Sequence, residues 1–155
     1  MSKRTLSLVS VALLCTIYRG SNRFAEQRFA TIDVPAASET NPTGINAAGD
    51  VVGHYYSTTT SGVHGFLWSR GALTTIDFPN AFQTLPTGIN AAGDIVGLYS
   101  RNNTSGVHGF LLSHGAFTTI DFPAAFRTLP TGIHAAGDIV GFIPAATIQA
   151  STVFF

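Results

Sequence analysis

The sequence predicts an all-β fold built from tandem copies of one four-stranded unit. Three observations carry that expectation. A 44-residue segment recurs along the chain, so that Gly44-Ile45-Asn46-Ala47-Ala48-Gly49-Asp50 returns at 88–94 and again, with His134 for Asn, at 132–138. The composition is 45% hydrophobic and only 10% charged, with 16 Gly and 12 Phe in 155 residues, against about a quarter charged in an average domain. Apolar runs of strand length alternate with turn residues, and no helical period appears.

Each element of the unit follows from its residues. In the second copy, Thr87–Asn90 is the first strand. Asn90-Ala91-Ala92-Gly93 is a turn, because an Asn side chain bonds backbone two residues on and Gly tolerates positive φ. Asp94–Ser100 is the second strand and Arg101–Gly106 a polar loop. Val107–Ser113 is the third strand, His114-Gly115-Ala116 a tight hairpin turn, and Phe117–Phe122 the fourth strand. Pro123 has no N–H to donate and ends the pairing. The run Ile95-Val96-Gly97-Leu98-Tyr99 is apolar on both faces, which predicts a sheet covered on both sides.

A four-stranded antiparallel sheet repeated every 40–45 residues reads as a propeller-like blade. The expected organisation is a leader and linker over 1–28 and one repeat domain over 29–155. Its blades lie at about 43–79, 87–123 and 131–155, preceded by a lone strand at 29–35. Thr31-Ile32-Asp33-Val34-Pro35 matches the fourth strands at 75–79 and 119–123, whereas the last copy has none. Either the N-terminal strand closes the last blade or both ends are left open. Three blades fall short of the roughly 4–8 of a closed propeller, so a homodimer completing a ring is one expectation, and an open array another. A flat solenoid or a β-sandwich is the alternative architecture.

The segments 88–97, 106–111 (Gly-Val-His-Gly-Phe-Leu) and 117–123 (Phe-Thr-Thr-Ile-Asp-Phe-Pro) resemble the HAF-type extracellular repeat of bacteria. The resemblance spans roughly 29–142. His-Gly-Phe stands here in place of the family's His-Ala-Phe. It implies an exported bacterial protein of propeller-like repeats and no defined activity.

The N-terminus fits export. Lys3 and Arg4 precede an apolar run over Thr5–Tyr18 that is shorter than the about 20 residues of a membrane span. The expected destination is extracellular or the cell envelope, with no stable membrane span once the leader is removed. Five of the eight basic residues lie in the first 28 positions. From residue 29 onward Arg70, Arg101 and Arg127 face seven acidic residues, a balance of −4. Binding nucleic acid needs a basic patch, so that class is excluded. The single cysteine, Cys15, lies in the leader, and the body can form no disulfide.

The residues that carry chemistry mostly belong to the repeat. Asp33, Asp77 and Asp121, and Asp50, Asp94 and Asp138, occupy two repeat positions. Turn-capping is their expected role. His64 and His108 are equivalents, expected to bond a neighbouring blade, because a metal site needs three or four converging ligands. There is no Gly-x-Ser-x-Gly elbow and no activated cysteine. No catalytic residue, cofactor or metal is expected, and the chain reads as a non-enzyme. The loops Tyr55–Ser61 and Tyr99–Ser105 differ most between copies. Tyr56, Arg101, Asn102 and Asn103 offer stacking and hydrogen bonds there, and loops on a rigid scaffold carry binding. The expected function is an extracellular or surface binding and interaction module for carbohydrate or protein. The alternatives are an assembly subunit or fragment of a larger propeller with no ligand site of its own, and a propeller-type hydrolase or lyase.

Overall fold

The structure is a computed structural model that describes residues 14–17, 28–102, 106–144 and 149–154. It is all-β. Among the described residues the order is β1 (Leu14–Ile17), β2 (Arg28–Thr31), β3 (Ala37–Ile45), β4 (Val51–Ser57), β5 (Val63–Ser69), β6 (Ala72–Ile76), β7 (Gln83–Ile89), β8 (Ile95–Ser100), β9 (His108–Ser113), β10 (Ala116–Ile120), β11 (Leu129–Ile133), β12 (Ile139–Pro144) and β13 (Gln149–Phe154).

The 44-residue repeat maps onto antiparallel meanders. β3-β4-β5-β6 forms the first unit and β7-β8-β9-β10 the second. β11-β12-β13 forms a three-stranded third. A single parallel bridge, Val63 to Gln83, joins the first unit to the second, and Val107 to Arg127 repeats it one unit on. The sheets stay open. Arg70-Gly71 and His114-Gly115 close the outer hairpins with positive φ at both residues, the turn whose twist matches paired strands.

The first strand of each unit is longer than its sequence suggests. It begins at Ala37 and Gln83, not at 43 and 87. Pro42, Pro86 and Pro130 sit where a strand would be expected to break, and each lies at a register shift in the ladder. The residue each bulge leaves out of register is the following threonine, Thr43, Thr87 or Thr131, while the prolines stay opposite Gly53, Gly97 and Gly141.

The units interlock through the exit of each fourth strand. Ile76 and Phe78 leave the first unit and are buried with Ile89, Ile95, Tyr99 and Phe110 of the second. Ile32 and Val34 are buried in the same way with Val51 and Phe66 of the first. The exit segment turns tightly, with Ala81 N–H donating to Phe78 O at 3.0 Å. Phe78 N–H donates to the buried Thr84 Oγ1 at 3.0 Å, as Val34 N–H does to Thr40 and Phe122 N–H to Thr128. Within each unit Phe66 and Phe110 lie across the ladder from Gly53 and Gly97. A Cβ at Gly97 would meet the Phe110 ring at 2.7 Å. The missing side chain is thus the space the ring fills, and burying each ring contributes about 1.5–3 kcal/mol.

Two expectations about the chain ends change. The N-terminal strand does not close the last sheet: β2 pairs with β1, Leu14 opposite Thr31 through Ile17 opposite Arg28. The reason lies just past β2, where Ile32 and Val34 are committed to the core of the first unit. The third unit does have a third strand, but two residues out of the repeat register. Ile139 pairs with Phe154, whereas its equivalent Ile95 pairs with Leu112. Thr152 therefore takes the position opposite Gly141 that phenylalanine takes opposite Gly53 and Gly97. The rest of the leader lies outside the described residues. Among those described, no helix is long and apolar enough to cross a membrane.

Candidate functional site

The repeat builds two kinds of polar cluster, and both explain residues that look like chemistry in the sequence. The first is the inner turn. Asn90 Oδ1 accepts from Ala92 N at 3.0 Å and Asp94 N at 2.9 Å, and its Nδ2 donates to Asp94 Oδ2 at 3.0 Å. Ser113 Oγ donates to Asp94 Oδ1 at 2.6 Å. Asn46, Asp50 and Ser69 repeat the pattern. The Ser113 hydroxyl first, then the Asn90 amide and His114, hold the Asp94 carboxyl below its ordinary range, against partial burial. Ser69, Asn46 and Arg70 do the same for Asp50. The asparagines cap the turns, and the Asp50 and Asp94 carboxylates brace them through side chains instead of bonding backbone, which corrects the expected turn-capping role of the aspartates.

The second cluster is a relay. His64 Nδ1 lies 2.9 Å from Asp77 Oδ2, and His64 Nε2 lies 2.9 Å from Thr60 Oγ1. A carboxylate only accepts, so Nδ1 carries a proton, and in the neutral ring Nε2 accepts from the threonine hydroxyl. His108 and Asp121 repeat the first contact at 2.9 Å. The partners belong to the same unit, which corrects the expectation that these rings bond a neighbouring one. The pairing joins the start of the third strand to the exit of the fourth, because β5 and β6 run antiparallel and end side by side. The order hydroxyl, imidazole, carboxylate is that of a hydrolytic triad. Its imidazole–carboxylate half recurs one repeat on, at His108 and Asp121. Among the described residues no three His, Cys, Asp or Glu side chains converge as a metal site.

The expected ligand loops are only partly brought together. Tyr56 is the penultimate residue of β4 in the first unit, is 41% exposed, and pairs with Glu39. Arg101 lies over the Tyr99 ring, 5.6 Å from its centroid. Asn103 lies outside the described residues. Asn102 lines a pocket of about 250 Å³ with Gln83, Ser100, Gly106, Val107, Phe126 and Arg127. This pocket sits where the second unit hands over to the third, beside the Val107–Arg127 bridge.

Gln83, Ser100, Phe126 and Arg127 are not among the residues that sequence reasoning singles out. A signal for them exists in the differences between copies. Ser100 replaces Tyr56, and positions 39, 83 and 127 read Glu, Gln and Arg, while the core positions keep their type. Phe82 and Phe126 are also an exposed aromatic pair one repeat apart. A second, more apolar pocket of about 560 Å³ opens between Phe122, Phe126, Ile143 and Pro144. There Ile143 holds the position at which Tyr99 stacks on Phe78.

No protein-family model matches the chain, and no curated protein matches it.

Proposed function

We propose that the chain is an exported, non-enzymatic repeat protein of the HAF type, its four-stranded units set propeller-fashion, that binds carbohydrate between its second and third units. The pocket chemistry carries this reading. Gln83 and Asn102 supply amides, Ser100 a hydroxyl and Arg127 a guanidinium, while Phe126 adds an exposed aromatic ring. Amides and guanidinium groups bond sugar hydroxyls, and an aromatic face suits the apolar side of a sugar ring. A volume of about 250 Å³ lies just below the roughly 300–1,000 Å³ of drug-sized sites, which suits one terminal sugar residue. The recurring His–Asp relays support a non-enzyme, because a reacting centre needs one asymmetric site and these are built twice. The leader supports export.

A glycan array probed with the purified chain tests the reading. Binding that is lost in Arg127→Ala and kept in Tyr56→Ala is the expected result. Absence of binding by the folded wild-type chain across the array overturns it. Fractionation of the producing cell tests export, and protein retained in the cytoplasm with its leader uncleaved counts against that part. A second reading, an assembly subunit, is supported by the exposed side of the third unit.

A further inference from the structure

We infer that two copies of this chain dock head to tail, the third unit of each seating on the first unit of the other, to make a six-unit ring. The inference stands apart from the carbohydrate reading, and loss of glycan binding leaves it untouched.

The joint that would form already exists twice inside the chain. Thr43 Oγ1 donates to Pro86 O at 2.7 Å, and Thr87 Oγ1 donates to Pro130 O at 2.9 Å. Asn46 Nδ2 donates to Asn90 O at 3.2 Å, and Asn90 Nδ2 to His134 O at 3.3 Å. Between these bonds the backbones touch: a Cβ on Gly44 would lie 3.3 Å from the Gly88 Cα, and one on Gly88 would lie 3.2 Å from the Gly132 Cα. Val52 and Val96, on the forward side of their units, are both fully buried at 0% exposure.

The third unit presents the same forward side with nothing on it among the described residues. Val140, the equivalent of Val52 and Val96, is 46% exposed, and Phe142 beside it is 44% exposed. A Cβ on Gly132 would meet only its own unit's Val140. Thr131 keeps the bond within its unit, to Val140 O at 3.2 Å, as Thr43 keeps one to Val52 O. His134 stands for the donor asparagine. Its Nδ1 accepts from Ala136 N at 3.2 Å, so the neutral ring carries its proton on Nε2.

The first unit presents the matching rear side. Ile45 is 48% exposed, whereas its equivalent Ile89 is 9% exposed beneath the preceding unit. The Pro42 and Asn46 carbonyls are the counterparts of the two acceptors, Pro86 and Asn90. Among the described residues the third unit shows no fourth strand, and β13 is the edge of its sheet. The receiving chain carries that strand. Arg28–Thr31 stands at the repeat position of Ala72–Thr75 in β6, and Ile32 and Val34 already fill the core slot of the exit segment. Along one edge β2 pairs with β1 in a two-stranded sheet. Its other edge, unpaired among the described residues, is the one that would add to β13 as β6 adds to β5. A joint between different faces of identical chains is heterologous, and it either closes or propagates. Two three-unit chains give six units, within the roughly 4–8 that close a propeller.

Light scattering on the size-fractionated chain, with Val140→Lys and Ile45→Lys, tests this. Both positions are exposed, so unchanged circular dichroism confirms that each variant folds. The expected masses are two chains for the wild type and one chain for either variant alone. An equimolar mixture of the two variants should recover a two-chain species, since the intact forward side of I45K meets the intact rear side of V140K. A monomeric wild type overturns the inference. So does an I45K variant that still dimerises alone, or a mixture that stays monomeric.

Discussion

The ring of Phe78 lies flat on the ring of Tyr99, with 3.7 Å between centroids and 8° between planes. Phe78 leaves the first unit and Tyr99 belongs to the second, so this stack is a joint between repeats. Phe110 and Phe117 pack around it at 6.3 and 5.2 Å from Phe78. Tyr99 also bonds outward, its hydroxyl 3.1 Å from Thr119 Oγ1.

Phe78→Ala is expected to cost about 3–5 kcal/mol, the usual range for a buried phenylalanine. Phe122→Ala, at the equivalent position but 43% exposed, should cost about 1 kcal/mol. Urea unfolding of the two variants measures the difference. Equal losses would mean that the joint between the second and third units is as tightly packed as that between the first and second.

His54→Leu is expected to stabilise the chain by about 1 kcal/mol, because His54 Nδ1 is buried with no hydrogen-bond partner. The second copy has Leu98 at this position. Burial lowers the His54 pKa from 6.5, with Glu39 opposing. The unfolded chain therefore takes up the proton more readily, and stability present above pH 6.5 is lost as pH falls below it. The gain from His54→Leu should grow on acidification over that window. Melting temperatures at neutral and mildly acidic pH check this.

Ser113→Ala removes the main support of the Asp94 carboxylate. Asp94 lies below its ordinary value of 3.8, so it contributes stability above that pH and loses it as pH falls toward the folded value. The variant should move the acid unfolding limb to higher pH, and a carboxyl titration followed by NMR should show Asp94 rising. An unmoved Asp94 would assign the shift to Asn90 and His114.

Ala124→Asn should raise stability by up to about 1 kcal/mol, since Ala124 holds φ at 61°, a region that strains side chains other than Gly and Asn. Asn80, its equivalent at φ 59°, gives the reverse control: Asn80→Ala should lose a similar amount. Thermal melts of both variants suffice.

The repeat makes most of the fold legible in advance. The Asn90 turn, the His114-Gly115 hairpin and the C-terminal limits of β8 and β9 follow from local chemistry, and the structure keeps them, whereas β10 ends at Ile120, two residues short of the expected Phe122. The start of β7 is hidden because Pro86 reads as a strand breaker until its bulge is known. The shift in β13 is hidden for a different reason. Phe154 preserves the repeat spacing in the chain, yet pairing registers answer to the whole ladder. The pocket is the least legible part. Asn102 stands out by its loop, whereas Gln83 faces Ser100 in the second unit's own ladder and Arg127 joins through the bridge to Val107. That last contact crosses a repeat boundary, which single-unit reasoning does not see.

The bonds from Thr43 and Asn46 reach forward 43 and 44 residues, and those from Thr87 and Asn90 do the same. A unit thus carries on its two sides both halves of its own joint. Duplication of such a segment yields a neighbour that fits from the first generation, with no new contact to invent. Side chains still differ where backbones make the joint: at positions 39, 83 and 127 the copies carry an acidic, a neutral and a basic residue, although 83 and 127 form the bridges between units. An ancestry of copying leaves the fold uniform and lets each copy acquire its own surface.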